Sequence, residues 1–205
     1  MEEAGVIDKN IKEKWKELLD EYDSWTHKQL DPAYLDSIKV MGRMFSGLSY
    51  SEGKLVLDIG CGNGRYGGTN YTESEYSYVN YNCRYIGIDP LYGENRNVPF
   101  VQSVAEYLPF KSEIFDTVIM VTSMDHFMDL DMALSECKRV LKPGGIFATA
   151  TGVYEDPNHT NPSHVYHLTR QSAFEATAKH FQVTQINFFE GSGCNSFFIR
   201  GVRGV

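Results

Sequence analysis

The sequence is poor in cysteine, and its cysteines form no pattern that would hold a metal ion or a disulfide framework. The four of them, at positions 61, 83, 137 and 194, contain no CxxC pair and no zinc-type spacing. Positive charge is also scarce, since 19 Lys and Arg residues face 27 Asp and Glu residues and leave a net charge of −8. This balance argues against a large surface for nucleic acid or anionic membranes, which would need clustered basic residues.

Long apolar runs are absent as well, and no N-terminal targeting signal is predicted. No apolar stretch approaches the roughly 18 residues of a membrane span. The first residues, Met1-Glu2-Glu3, are acidic where a signal peptide would be basic. Together with cysteines interpreted as free thiols, these features lead us to expect a cytoplasmic protein without a membrane partner.

Two amphipathic segments come before the main domain. In the first, apolar side chains recur with helical spacing. In the second, Asp31 can cap the helix that Pro32 opens, and Phe45 belongs to its apolar face. We therefore expect a helical cover over residues 1–52 and one compact domain over residues 53–205.

Short apolar strands alternate with helices throughout that domain. The predicted strands cover residues 55–59, 85–88, 99–102, 115–121, 145–151, 182–189 and 195–200. One helix is predicted over residues 130–141, ended by a Lys-Pro-Gly-Gly turn, and another over 172–180, opened by a capping box at 172–175. The alternation predicts an α/β fold with a doubly wound, mostly parallel sheet, and the two consecutive final strands predict an antiparallel edge.

The first strand runs directly into a glycine loop, Asp58-Ile59-Gly60-Cys61-Gly62-Asn63-Gly64. Such a loop lets a ligand approach the backbone without meeting Cβ atoms. Its GxGxG spacing differs from the GxGxxG of dinucleotide sites, and no Lys-Ser or Lys-Thr pair follows as in a P-loop. The Asp58 carboxylate would repel a pyrophosphate but suits a ligand with an ammonium group. The alternative interpretation is an ordinary tight turn from strand to helix.

The next strand also ends in a carboxylate, within Ile88-Asp89-Pro90. At this place in an α/β sheet, an acid can accept hydrogen bonds from both ribose hydroxyls. The alternative is that Asp89 only opens a turn before Pro90. The interval from Asp58 exceeds the roughly 20 residues expected, which predicts an insertion over residues 66–83.

These segments together resemble the small class I S-adenosylmethionine-dependent methyltransferases. The glycine loop is similar to their first motif and Ile88-Asp89-Pro90 to their second. Residues 105–110 and 115–119 are similar to their third motif and fourth strand, and residues 139–145 to the helix end before their fifth strand. The resemblance implies a Rossmann-like sheet of seven strands. It also implies S-adenosylmethionine as cofactor and S-adenosylhomocysteine as product.

The resemblance further implies roles for individual residues. The glycine loop with Asp58 would hold the methionine moiety, Asp89 the ribose, and Ala105 with Glu106 the adenine edge. Val104 stands where many relatives carry an acid, so adenine recognition would depend on backbone groups or on Glu106. All predicted cofactor-binding residues lie at strand ends or in the loops that follow them: Asp58, Gly60, Cys61, Gly62, Asn63, Gly64, Asp89, Pro90, Ala105, Glu106 and Thr122.

Methyl transfer to a hydroxyl needs a general base, whereas a thiol or amine acceptor needs little help. The candidate base is His126, after the fourth strand; packing against cofactor or substrate is its alternative role. His164, Tyr166 and His167 are predicted to line the acceptor pocket, because their segment is similar to one that borders the pocket in this family. His159, His164 and His167 lack a regular ligand spacing, so no metal site is predicted.

The sequence thus predicts a methyltransferase that acts on a small-molecule acceptor, with transfer to oxygen and no nucleic-acid partner. The alternative is a partner or regulatory subunit that binds S-adenosylmethionine without turnover. A nicotinamide-dependent oxidoreductase is disfavoured by the GxGxG spacing and by Asp58. Nothing in the sequence indicates the oligomeric state or the identity of the acceptor.

Overall fold

The computed structural model describes residues 45, 54–62, 83–90, 98–156, 164–190 and 195–205 of the chain. Within them, the strands are β1 (Leu55–Ile59), β2 (Arg84–Asp89), β3 (Phe100–Gln102), β4 (Phe115–Val121), β5 (Leu141–Val153), β6 (Gln182–Phe189) and β7 (Asn195–Val202). The helices α1 (Leu130–Val140) and α2 (Arg170–His180) lie between them, and Phe45 is also helical. Among the described helices, none combines the length and apolar character that crossing a bilayer requires.

The seven strands form one sheet in the order β3-β2-β1-β4-β5-β7-β6. Strands β1 to β5 pair in parallel, and β7 runs antiparallel to both β5 and β6. The strand order reverses between β1 and β4, and α/β sheets bind ligands at the carboxyl ends of such a pair. The predicted α/β class, seven-stranded sheet and antiparallel edge are therefore confirmed, with the reversed strand second from the edge.

Both faces of the sheet are covered by buried apolar side chains. On one face, Leu57 of β1 and Met120 of β4 belong to a cluster that includes the inner side of α1. On the other face, Val56 and Ile119 belong to a cluster with Phe198 and Phe45. The Phe45 ring meets that of Phe198 edge to face at 5.4 Å, so one residue of the second predicted N-terminal helix covers this face. The rest of the predicted helical cover lies outside the described residues, as does nearly all of the predicted insertion.

The N-terminus of α2 differs from the prediction, because the capping box begins at Thr169 and not at Ser172. The Thr169 hydroxyl accepts a hydrogen bond from the Ser172 backbone N–H, and the Ser172 hydroxyl accepts one from the Thr169 N–H at 2.9 Å. Ser172 is therefore the third helical residue. Both residues carry the hydroxyl that an N-cap requires, and the sequence pattern alone does not indicate which of them is the N-cap.

The junction of α1 and β5 also differs from the prediction. Leu141 leaves the helical conformation, with φ −69° and ψ 142°, and pairs with Phe115 of β4. The helix therefore ends at Val140, and the Pro-Gly-Gly turn becomes an irregularity near the start of β5. Met132 is exposed, and the buried residues of α1 are Leu130, Ala133, Leu134, Cys137 and Val140.

Candidate active site

The glycine loop is attached to the carboxyl end of β2. The backbone N–H groups of Gly60 and Cys61 both donate to the Ile88 carbonyl, at 2.9 and 3.0 Å. The Gly62 N–H donates to Asp89 Oδ2 at 2.9 Å. The structure therefore brings the two motifs that the sequence singled out into direct contact. The predicted loop residues Asn63 and Gly64 lie outside the described residues.

Two glycines of this loop serve different purposes. Both have positive φ, +72° at Gly60 and +56° at Gly62, which side chains of L-residues rarely tolerate. A Cβ at Gly60 would lie 2.4 Å from the Ser123 Cβ, so the missing side chain makes room for the segment after β4. At Gly62, no atom of the described residues lies within 4 Å of the Cβ position. Within the described part of the chain, the Cβ side of Gly62 is therefore free for a ligand, as a ligand-binding loop requires.

The Asp58 carboxylate is buried at the end of β1, with 4% of the residue exposed. The Tyr85 hydroxyl donates to its Oδ2 at 2.6 Å. Burial raises the pKa of Asp58 to about 7; the Tyr85 hydrogen bond opposes this increase, and the nearby Asp89 charge adds to it. Because an adjacent cation favours the ionised form, a positively charged ligand would lower this pKa again.

Tyr85 is a site residue that the sequence analysis missed. It pairs with Val56 in the register between β1 and β2, and Asp58 follows Val56 by two residues. Alternate residues of a strand share one face, so Tyr85 and Asp58 are diagonal neighbours on the same side of the sheet. The alternation of side chains along each strand could be read from the sequence. The contact between Tyr85 and Asp58 becomes apparent only from the register of the two strands.

Glu106 has contacts that do not suit its predicted role at the adenine edge. Its Oε1 accepts hydrogen bonds from the backbone N–H groups of Met128 and Asp129, at 2.8 and 3.2 Å. Its Oε2 is buried without a hydrogen-bond partner among the described residues, and burial raises the pKa of this carboxyl. The side chain thus fixes the loop before α1. Recognition of the adenine edge would then depend on backbone groups around Ala105.

The residue that directly follows β4 has an uncommon backbone conformation. Thr122 has φ +54°, and its N–H donates to the Ala150 carbonyl of β5 at 2.8 Å. A β-branched residue seldom adopts this conformation, and such outliers concentrate at functional sites. The next residue, Ser123, donates its hydroxyl hydrogen to the Ile59 carbonyl at 2.8 Å. The segment that leads to His126 is therefore held against the glycine loop.

Asp125, His126 and His164 form a cluster at this edge of the sheet, which we call the Asp-His-His cluster. Asp125 is buried, and its Oδ2 lies 3.2 Å from Nδ1 of His164 while its Oδ1 lies 3.7 Å from Nε2 of His126. The two imidazole rings meet edge to face at 5.0 Å, and their side chains are 26% and 15% exposed for His126 and His164. The buried carboxylate of Asp125 therefore lies next to two partly exposed imidazole rings.

Backbone hydrogen bonds hold the two halves of this cluster together. The N–H groups of Val165 and Tyr166 both donate to the Asp125 carbonyl, at 2.8 and 3.1 Å. The Tyr166 hydroxyl accepts from the Leu130 N–H and donates to the Met128 carbonyl. The segment before α2 is thereby fixed to the loop after β4 by the hydrogen bonds of the Tyr166 backbone and hydroxyl.

The predicted pocket residues thus have different positions. His164 lies in the Asp-His-His cluster, whereas Nε2 of His167 lies 2.8 Å from the Tyr154 carbonyl oxygen. The Tyr154 ring is near both, with centroids 5.8 Å from His164 and 6.0 Å from His167. The sequence analysis missed both Asp125 and Tyr154. Asp125 directly precedes His126, but this position in the sequence does not indicate that Asp125 contacts His164.

Comparison with known proteins agrees with this geometry. Residues 57–149 match the family model of a methyltransferase domain, which extends from β1 into β5. The chain is 37% identical over 101 residues to a fatty-acid O-methyltransferase of Mycolicibacterium smegmatis, covering 47% of this chain and 36% of that protein. It is 36% identical over 114 residues to a sterol 24-C-methyltransferase of Gibberella zeae, covering 53% of this chain and 29% of that protein. The chain therefore spans about a third of the length of these two relatives.

The fold is shared with solved structures. A crystal structure of the 1,6-didemethyltoxoflavin-N1-methyltransferase of Burkholderia thailandensis, with bound 1,6-didemethyltoxoflavin and S-adenosylhomocysteine, superposes with a TM-score of 0.65 at 17% sequence identity. The superposition covers 99% of this chain and 93% of that one, and at this identity it shows the fold alone. The matched domain, the relatives and the sheet order together support the class I S-adenosylmethionine-dependent methyltransferase superfamily.

Proposed function

We propose that the chain transfers a methyl group from S-adenosylmethionine to an oxygen atom of a small-molecule acceptor. The observation that carries this proposal is the Asp-His-His cluster, which follows the strand end packed on the glycine loop. A hydroxyl acceptor must lose its proton during transfer, and a positioned imidazole is the commonest group that accepts one. Amine and thiol acceptors have less need of such a base.

The residues at the ends of β1 and β2 fit the cofactor. The buried Asp58 carboxylate suits the ammonium group of the methionine moiety, and Asp89, held by the Gly62 N–H, suits the ribose hydroxyls. When bound, the cofactor supplies a methyl group on a positively charged sulfur. The remaining candidates would contribute mainly backbone contacts: Gly60, Cys61, Pro90, Ala105 and Thr122.

His126 is the proposed base, and Asp125 is its proposed positioning residue. A buried carboxylate that faces an imidazole fixes the ring orientation and stabilises the imidazolium that forms when the ring takes a proton. Oδ1 of Asp125 lies 3.7 Å from Nε2 of His126, so their attraction increases once the ring is protonated. Proton transfer from the acceptor to His126 would leave an oxygen nucleophile beside the site of the methyl group.

The acceptor is proposed to be an apolar molecule that carries a hydroxyl or carboxyl group. The names of the two relatives refer to a fatty acid and to a sterol, both largely hydrocarbon. Those names also refer to different acceptor atoms, oxygen and carbon, so the relatives do not select the atom. The Asp-His-His cluster is the feature of this chain that favours oxygen.

The test is formation of S-adenosylhomocysteine and of a methylated product from fatty acids and hydroxylated sterols, with mass spectrometry locating the methyl group. With a hydroxylated sterol as acceptor, whose hydroxyl must lose a proton, His126→Ala is expected to lower kcat by about 10²–10⁴-fold, the usual contribution of a general base, while the affinity for S-adenosylmethionine stays unchanged. His180→Ala is the matched control, because His180 pairs with the exposed Asp131 outside this site.

Unchanged turnover in the His126→Ala protein would contradict the assignment of the base. Tight binding of S-adenosylmethionine without methylation of any acceptor would instead support the alternative of a non-catalytic binding partner. These two outcomes are distinguishable because the first requires turnover and the second requires its absence.

A further inference from the structure

We propose that the Asp-His-His cluster binds a divalent transition-metal ion, with Zn²⁺ as its probe. Its three residues offer two imidazole nitrogens and one carboxylate oxygen, and these atoms all lie within 4.8 Å of one another. Zinc bonds of about 2.0–2.1 Å in tetrahedral geometry would place neighbouring ligand atoms about 3.3 Å apart. Asp125 Oδ2 lies 3.2 Å from Nδ1 of His164, and Asp125 Oδ1 lies 3.7 Å from Nε2 of His126, so each imidazole has a carboxylate oxygen near this spacing.

The second observation is an unpartnered oxygen aimed into the cluster. Oδ1 of Asp125 is buried and has no hydrogen-bond partner among the described residues. Its 3.7 Å separation from the His126 ring nitrogen exceeds the length of a hydrogen bond. Buried carboxylate oxygens are almost always satisfied by a donor or a metal ion, because a buried charge without a partner is costly. A cation between the three side chains would satisfy this one.

The ligands are preassembled by the fold. His126 follows β4 and His164 precedes α2, and the backbone N–H groups of Val165 and Tyr166 join the two segments by donating to the Asp125 carbonyl. A metal ion therefore would not need to order the loops that carry its ligands. Imidazole nitrogen with carboxylate oxygen is a donor set that suits Zn²⁺ and similar ions rather than Mg²⁺ or Ca²⁺.

This inference departs from the sequence prediction of no metal site. That prediction compared His159, His164 and His167, which are close in sequence and lack a regular ligand spacing. Of these, His167 contacts the Tyr154 carbonyl and His159 lies outside the described residues. The structure instead combines His164 with Asp125 and His126 from another loop.

One consequence rests on the proposed function. Three protein ligands leave a fourth tetrahedral position, as in zinc sites that bind a substrate. An acceptor hydroxyl or carboxylate oxygen is a suitable ligand for that position, so the ion would select oxygen acceptors. With the ion bound, His126 serves as a ligand, and the ion in its place would lower the pKa of the acceptor hydroxyl. Metal binding itself does not depend on this consequence and can be measured without an acceptor.

The experiment uses the full chain, stripped of metal with a chelator, and titrates it with Zn²⁺ by calorimetry and with Co²⁺ by visible absorption. We expect one ion per chain and the strong visible bands of tetrahedral cobalt. Asp125→Asn and His164→Gln should each weaken Zn²⁺ binding at least tenfold. His180→Gln should bind like the wild type, because His180 pairs with the exposed Asp131 in a histidine–carboxylate contact outside the cluster.

Several results separate this inference from the proposed function. Wild-type affinity in a folded His164→Gln protein, checked by circular dichroism, would overturn the metal site, and so would the absence of Zn²⁺ binding to the wild type. If the wild type binds no Zn²⁺ and yet methylates an acceptor, only the metal site is refuted. Stoichiometric binding that both cluster variants lose supports the site even where no acceptor is methylated.

Discussion

The affinity for S-adenosylmethionine should rise with pH, because Asp58 must lose a proton when a cationic ligand binds beside it. The carboxyl is buried at the end of β1, and burial raises its pKa to about 7 in spite of the hydrogen bond from Tyr85. The nearby Asp89 charge adds to this increase. An ammonium or sulfonium group favours the ionised carboxylate, so ligand binding and deprotonation of Asp58 are thermodynamically linked.

The size of the effect follows from the pKa. At pH 6, one unit below the pKa of Asp58, about one carboxyl group in eleven is ionised. At pH 8, one unit above it, about ten in eleven are ionised. If the ligand binds only the ionised form, its affinity increases about tenfold between pH 6 and pH 8. This corresponds to about 1.4 kcal/mol of binding free energy.

Calorimetric titration at several pH values, in buffers with different ionisation enthalpies, measures both the affinity and the protons released. We expect release of nearly one proton per ligand at pH 6 and almost none at pH 8. Asp58→Asn is the matched control, since it keeps the shape of the side chain without its titration. The comparison at each pH also removes the contribution of the ligand's own amino group. A wild-type affinity that does not vary with pH, or an equal slope in Asp58→Asn, would refute the reasoning.

The same pKa shift has a consequence for the ligand-free protein. The folded state holds the Asp58 proton more tightly than the unfolded state, so the contribution of this group to stability is most favourable at low pH and decreases as pH rises from about 4 to about 7. Asp58→Asn removes this particular decrease. Urea denaturation of both proteins at pH 5 and pH 8 should therefore show a larger gain for the variant at pH 8.

Two further substitutions test the glycine loop. Asp89→Ala should weaken S-adenosylmethionine binding by about 1.5–3 kcal/mol, because it removes charge-assisted hydrogen bonds to the ribose and the anchor of the Gly62 N–H; an unchanged dissociation constant would contradict the ribose assignment. Gly60→Ala should lower the free energy of unfolding by more than about 1–2 kcal/mol, since a positive φ is combined with a 2.4 Å approach to the Ser123 Cβ. Ser123→Gly should restore part of that loss, and full stability of Gly60→Ala in urea denaturation would show that the contact is not restrictive.

The cofactor side of the site was largely accessible from the sequence, because its signals are local. A buried strand followed by a glycine loop, and a second strand ending in Asp89, are patterns within a few residues of each other. Parallel pairing of β1 and β2 then brings both strand ends to one edge. The contacts that the sequence did not reveal, such as Tyr85 to Asp58, depend on the register between the strands.

Glu106 shows why a motif position does not fix the role of a side chain. The sequence places it after β3, next to Ala105, where the family resemblance suggested the adenine edge. In the structure, its carboxylate instead accepts hydrogen bonds from two backbone N–H groups before α1. Asp129 is the N-cap of α1, and the N–H groups at the start of a helix lack partners within the helix; the Met128 N–H lies one residue before it. These N–H groups need a hydrogen-bond acceptor such as Glu106 only once the loop and α1 have packed together.

The Asp-His-His cluster, proposed to face the acceptor, could not be derived from residue spacing because two separate loops build it, but the order of the strands explains it. Parallel β4 and β5 are neighbours, with Val121 opposite Ala150, so the loops that follow them emerge at the same edge. One of these loops carries Asp125 and His126, and the other leads to His164. Spacing along the chain identifies histidines that are close in sequence. The fold instead brings together residues from loops that follow adjacent strands. The chemistry of the acceptor side therefore depends on strand order first and on residue spacing second.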